Sequence, residues 1–223
     1  METIHRLLVI VHVIAGFSAL SFGLSAMLTA KGGRAHRFSG KVYFWAMAVS
    51  CFTAAVIGAL FNKWFFFFLA FISFESAARG YRILYRKKGG SEQPPRIADW
   101  LLVIVNAVMG AGLIGWGIRI MLAGGVFGIV ALIFGALGIF VSYDYYKTFR
   151  SSAPDPKHWL RMHIRGMAVS YIAATTAFLV NNDNWFPFIP AIWLWLLPTI
   201  IGVPVMLYVA NNRAGKQSEK QSG

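Results

Sequence analysis

Lys31-Gly32-Gly33-Arg34-Ala35-His36-Arg37-Phe38-Ser39-Gly40-Lys41 is a short basic stretch with a long apolar run on either side. Upstream, residues 4–30 contain one permanently charged side chain, Arg6; downstream, residues 42–61 contain none. About 20 apolar residues suffice for a helix to cross the hydrocarbon core of a bilayer. A basic turn between two such runs is the pattern of a membrane hairpin whose connection stays in the cytoplasm.

The same alternation continues to the end of the chain. Apolar runs and turn signals predict seven helices, at 4–30, 41–61, 64–85, 97–122, 126–149, 158–180 and 190–211. Asn62 and Lys63 form a tight turn, and Gly89, Gly90, Pro94 and Pro95 mark a turn-rich linker. Pro198 and Pro204 are expected to kink the last helix. The fold class is therefore an all-α polytopic membrane protein. Residues 1–213 read as one seven-helix transmembrane domain and 214–223 as a polar, disordered cytoplasmic tail. The first run is too long for a signal-peptide core and reads as a retained helix.

Composition agrees. Of 223 residues 57% are hydrophobic and 13% charged, with mean hydropathy +0.60, against about 25% charged in a soluble domain. Such a chain has too little polar surface to cover several apolar runs in water. The net charge of +13 is explained by short loops rather than by nucleic-acid binding. Four, five and five Lys/Arg fall around the turns after the first, third and fifth helices, and three in the tail. Only Arg6, Lys63, Arg79 and Arg119 lie elsewhere. This asymmetry places the N-terminus outside and the C-terminus in the cytoplasm of a cell membrane.

Small residues form stripes that let membrane helices approach closely. One is His12, Gly16, Ala19, Gly23 and Ala26; another is His163, Gly166, Ser170, Ala173 and Ala177. Both histidines are expected to face the bundle. Further small-residue spacings occur at Gly124 and Gly128 and at Ala131 and Gly135, and the Lys-Gly-Gly string recurs at Lys31 and Lys88, a weak sign of internal repetition.

Two stretches resemble a known family. His12 with Ala15 and Gly16, then Lys31-Gly32-Gly33, His36-Arg37, Gly40, Tyr43 and Met47, is similar to one signature. His163, Arg165 and Met167, followed by Ala174, Thr176, Ala177, Phe178 and Asn181, is similar to the other. The resemblance is to a widespread family of predicted bacterial membrane proteins defined as a domain of unknown function. It implies a multi-pass membrane protein and brings no activity with it.

The chemistry must come from the residues. His36 with Arg37, and His158 and His163 with Arg161 and Arg165, lie at the membrane edge that the topology makes cytoplasmic. Two histidines from different helices meet the requirement for axial ligation of haem b, and arginines pair with propionates. His36 and His163 are the expected pair. Alternatively these cations anchor topology and the histidines bond at the interface. Lys31, Arg34 and Arg37, with the glycines between them, also suit anionic lipid head groups. Within the bilayer, His12, Glu75, Arg79 and Asn106 are costly and so suggest function, such as that of a small transporter or channel. Glu75 and Arg79, four apart, could equally neutralise one another. A protein-only metal site is not expected: His158 and His163 are five apart, and the single Cys51 has no partner thiol. No nucleophile motif is present, so enzymatic activity is left open.

Overall fold

The computed structural model describes residues 2–88, 91–92, 94–150 and 157–219. It contains seven α-helices: α1 (Glu2–Leu28), α2 (Arg34–Leu60), α3 (Trp64–Arg86), α4 (Ile97–Leu122), α5 (Gly128–Arg150), α6 (His158–Asn181) and α7 (Ala191–Glu219). One 3-10 turn, Asp183–Trp185, precedes α7. Two-residue strands β1 (Lys87–Lys88) and β2 (Ser91–Glu92) pair antiparallel between α3 and α4, with Lys87 opposite Glu92.

Most helix boundaries fall within two residues of expectation, and two differ. The basic stretch is largely helix, because α2 begins at Arg34 rather than near Lys41. Gly33 is the N-cap, with φ −70° and ψ 173°, and Gly32 at φ +76° turns the chain. Ser39 does not start the helix; its hydroxyl sits 3.0 Å from that of Ser25 on α1. At the other end, α7 continues through Pro198 and Pro204 and past Asn211 to Glu219. Residues 220–223 of the expected tail lie outside the described residues.

Five helices, α1, α2, α4, α5 and α7, are long and apolar enough to cross a membrane. They carry much apolar surface outward, including Leu7, Ile14, Phe52, Val108, Phe140 and Ile201, all more than half exposed. No soluble fold leaves so much apolar surface uncovered, so the protein is multi-pass and contacts lipid. The remaining two helices, α3 and α6, hold Glu75, Arg79, Arg82, Arg161 and Arg165 and fall short on composition. They are also the most enclosed. Residues 75–80 of α3 are all buried, and Asn181 is the one exposed residue of α6. Polar helices belong inside a bundle, where neighbouring helices shield them from lipid.

The chain divides into two compact units. The first comprises Met1–Glu75 and Ile104–Ser142, the second Ser76–Val103 and Tyr143–Gly223. In the first, α1 packs on α2 with Ala15, Ala19 and Gly23 buried; Ala19 and Gly23 belong to the expected small stripe, Ala15 does not, and Gly16 is only half-buried. Here α4 and α5 touch backbone to backbone. A Cβ at Gly135 would lie 2.7 Å from Gly110 O, and one at Gly128 would lie 2.5 Å from Gly117 O. The pairing residues are thus Gly128 and Gly135; Gly124 is not on the helix but in the turn before it, at φ +82°. In the second unit α6 packs on α7, and Ile83, Val103, Tyr145 and Met162 form a core flanked by Phe149 and Trp159.

Candidate functional sites

Three histidines share one arrangement. His12 Nδ1 lies 2.9 Å from Ser50 O, joining α1 to α2. His36 Nδ1 lies 2.9 Å from Ala26 O, joining α2 back to the end of α1. His163 Nδ1 lies 2.7 Å from Gly80 O, joining α6 to α3. A carbonyl only accepts, so in each ring Nδ1 carries the hydrogen and donates it. In the neutral imidazole the lone pair then sits on Nε2.

The local sequence makes these bonds possible. Gly166 lies one turn beyond His163, and a Cβ there would fall 2.7 Å from Gly80 Cα and N and from Ser76 O. Only glycine on both helices lets α6 approach α3 closely enough for the ring to reach a main-chain oxygen. On α1 the approach is looser: a Cβ at Gly16 would lie 3.8 Å from Ser50 Oγ, an ordinary contact, and Ala19 is buried. Ser50 and Thr53 surround that ring, with Thr53 Oγ1 at 3.2 Å from Nδ1.

The six cationic or histidine side chains expected to meet at one edge divide. His36 and Arg37 belong to the first unit; His158, Arg161, His163 and Arg165 belong to the second. On α6, spacings of three and four put His158, Arg161 and Arg165 on one side, while His163 turns toward α3. Arg165 Nε is buried with no hydrogen-bond partner among the described residues. Lys31 is exposed but folds back onto its own helix. Its ammonium donates to Ala26 O at 3.2 Å, to Thr29 O at 3.2 Å and to Met27 O, closing the carbonyl end of α1. Arg34 and Arg37 are exposed.

The intramembrane set also resolves. Glu75 is 2% exposed, Arg79 7% and Asn106 0%. Arg79 stacks its guanidinium 3.7 Å from the centre of the Tyr145 ring, a cation–π contact between residues 66 positions apart that sequence spacing does not announce. Asn106 Nδ2 donates to Gly138 O and to Ser142 Oγ, both at 2.9 Å, and Ser142 Oγ donates to Gly138 O at 3.0 Å. Because Gly138 O only accepts, the amide cannot be turned over, and Oδ1 faces away. That oxygen is buried with no hydrogen-bond partner among the described residues.

Arg82 and Asp99 form an ion pair that sequence reasoning missed. Its bonds are 2.9 and 3.2 Å long, and Asp99 also accepts the Arg96 N–H at 2.9 Å. Asp99 is thus the return half of a capping box that starts α4. The signal was present: the two residues lie at similar distances on either side of the hairpin β1–β2.

Among the described residues no group of three or more His, Cys, Asp and Glu gathers to hold a metal ion. An apolar cleft of about 350 Å³ between α2 and α3, lined by Cys51, Phe52, Phe71 and Phe74 among others, contains none of the candidate residues. No protein-family model, curated protein or solved structure matches the chain.

Proposed function

We propose that the protein is a multi-pass protein of the cell membrane, N-terminus outside and C-terminus cytoplasmic, that holds haem b on histidine near its cytoplasmic edge and passes electrons within the membrane. The supporting observation is the Nδ1–H to carbonyl bond of His36 and of His163. Histidines that ligate a metal through Nε2 almost always donate Nδ1–H in this way, which fixes the ring and raises the basicity of the ligating nitrogen. Each histidine is so prepared within its own unit.

Haem, when bound, supplies one-electron chemistry. The chain would supply oriented imidazoles and cations for the propionates. Arg37 beside His36, and Arg161 and Arg165 beside His163, provide the cations, with His158 at the same end of α6. The buried Nε of Arg165 suits a carboxylate. His36 and His163 are also the residues around which the two family-like signatures are built, so the proposal includes membership of that family. Exposed Arg34, which lies outside that set of cations, is assigned to anionic lipid head groups.

The test is an absorption spectrum of full-length protein purified after expression with ample haem. A Soret band is expected, diminished or lost in His36→Ala and in His163→Ala. A colourless wild-type protein, or a band untouched by both substitutions, overturns the assignment.

A further inference from the structure

We propose that the cleft between α2 and α3 seats one acyl chain of an anionic phospholipid, whose phosphate is held by Arg34 and Lys41 at the basic end of α2. The site extends the head-group assignment of Arg34 and uses none of the haem residues.

The cleft exists because the two helices touch near their turn and then part. A Cβ at Gly58 would lie 2.8 Å from Phe67 Cβ, so the crossing there is tight. Toward the start of α2 the residues that line the gap are small: Ala55, Cys51 and Ala48, with Ala70 on α3. Phe71 and Phe74 form the α3 wall, and Phe44, its ring centre 6.1 Å from that of Phe74, bounds the end nearest Lys41. The space left is about 350 Å³. Phe52 borders it and is 69% exposed, so the opening faces lipid and a chain enters from that side. No side chain of the lining carries nitrogen or oxygen, so a polar ligand finds no hydrogen-bond partner there. An apolar cavity of about 150 Å³ already takes up benzene, and this one is more than twice as large. In a bilayer the apolar body at hand is an acyl chain.

Charge and length select the lipid. Arg34, Lys41, Ala48 and Ala55 are each seven residues apart, and a seven-residue step returns to within about 20° of the same helix face. The two cations therefore stand in line with the cleft. Both are exposed, and α2 has no acidic residue to neutralise them. The N-cap Gly33 makes no side-chain cap bond, which leaves N–H groups of the first turn to an anion. At 1.5 Å per residue Lys41 lies about 10 Å from Arg34 along the axis, a gap that two long side chains close around one phosphate by snorkelling. Cys51 lies about 15 Å beyond Lys41, the depth of one leaflet in a hydrocarbon core about 30 Å thick. A lipid whose phosphate sits at Lys41 thus ends its chain in the cleft.

Native mass spectrometry of the full chain, released from detergent with phosphatidylglycerol or phosphatidylcholine of identical chains, measures the site. Wild-type protein is expected to retain one phosphatidylglycerol in preference to phosphatidylcholine. Each cation near the membrane surface is worth about fivefold, so Arg34→Gln and Lys41→Gln should each weaken phosphatidylglycerol by that factor. Ala48→Phe fills the cleft and should release the lipid whichever head group it carries. Equal retention of the two lipids by wild-type protein overturns the proposal, as does an Ala48→Phe protein that keeps its lipid. Wild-type protein also suffices for a second readout, photolabelling by phosphatidylglycerol with a diazirine at the chain end. Label is expected between residues 48 and 55 and between 70 and 74; label found only on other lipid-facing helices, such as α4, refutes the site. A dimer cross-linked through Cys51 on mild oxidation in nanodiscs puts a second copy against the cleft and refutes it too. Bound haem adds a different mass, so loss of the lipid and loss of haem are read separately.

Discussion

Replacing Gly166 by alanine should separate α6 from α3. The added Cβ would lie 2.7 Å from Gly80 Cα and N and from Ser76 O, whereas carbon atoms rest about 3.5–4.0 Å apart. All three neighbours are main-chain atoms, so no side chain can rotate away and the helices must part by roughly 1 Å. Overpacking of this kind costs about 1–3 kcal/mol. The displacement also stretches the 2.7 Å bond from His163 to Gly80 O, worth about 0.5–1.5 kcal/mol. The sum is about 2–4 kcal/mol. Equilibrium unfolding in mixed detergent micelles measures it, with Gly40→Ala as the control. Nothing lies within 4 Å of a Cβ at Gly40, so that change should be neutral or stabilise by up to about 1 kcal/mol through helix propensity. A Gly166→Ala protein within about 0.5 kcal/mol of wild type refutes the close crossing. Combining it with His163→Ala should give less than the sum of the single effects, because both disrupt one contact.

Other substitutions follow from the bonds described. Asp99→Ala removes three hydrogen bonds and leaves Arg82 and the Arg96 N–H unmatched, so it should cost about 2–3 kcal/mol in the same unfolding assay. Arg82→Met should cost less, about 1 kcal/mol, because the Arg82 side chain is 35% exposed; equal losses would contradict the capping role of Asp99. His12→Leu removes one inter-helix bond whose acceptor, Ser50 O, is also served by Thr53 Oγ1 at 2.9 Å. Its cost should stay near 0.6 kcal/mol, as for typical bonds of this kind in membranes; a loss several times larger means that His12 does more than join α1 to α2. A reporter fused after Gly223 should be active only in its cytoplasmic form, and activity of an external reporter there reverses the proposed orientation.

Helix number and type were legible in the sequence because apolar runs and basic turns repeat so regularly. The α1 stripe from Gly16 to Gly23 was legible for the same reason: small residues at helical spacing have few other uses in a membrane. Less legible was anything set by packing across long sequence separations. The start of α2 was misplaced because Ser39 and Gly40 look like a helix start, yet Ser39 is taken up by Ser25 and the turn is made by Gly32 and Gly33. The two polar helices read as spans, but only the other five are long and apolar enough to cross a membrane; α3 and α6 differ in composition and are the more buried. His12 and His163 were read as facing the bundle and each bonds to a neighbouring helix, but the carbonyl partners of His12, His36 and His163, namely Ser50, Ala26 and Gly80, carry no side-chain signature. A main-chain oxygen is available at every residue, and only the fold selects one. Tyr145 under Arg79 and Ser142 beside Asn106 were invisible for the same reason.

The bonds that join α1 to α2 also bear on how the chain is made. Lys31 closes the carbonyl end of α1, His36 reaches back to Ala26, Ser25 meets Ser39, and His12 meets Ser50. Every one of these contacts lies within the first 53 residues, so none waits for later sequence to be synthesised. Most of the polar groups that would resist transfer into lipid can be satisfied by a single pair of neighbouring helices. The first hairpin can therefore leave the translocation machinery as a finished object, and provide a template on which the more polar α3 is sheltered as it emerges.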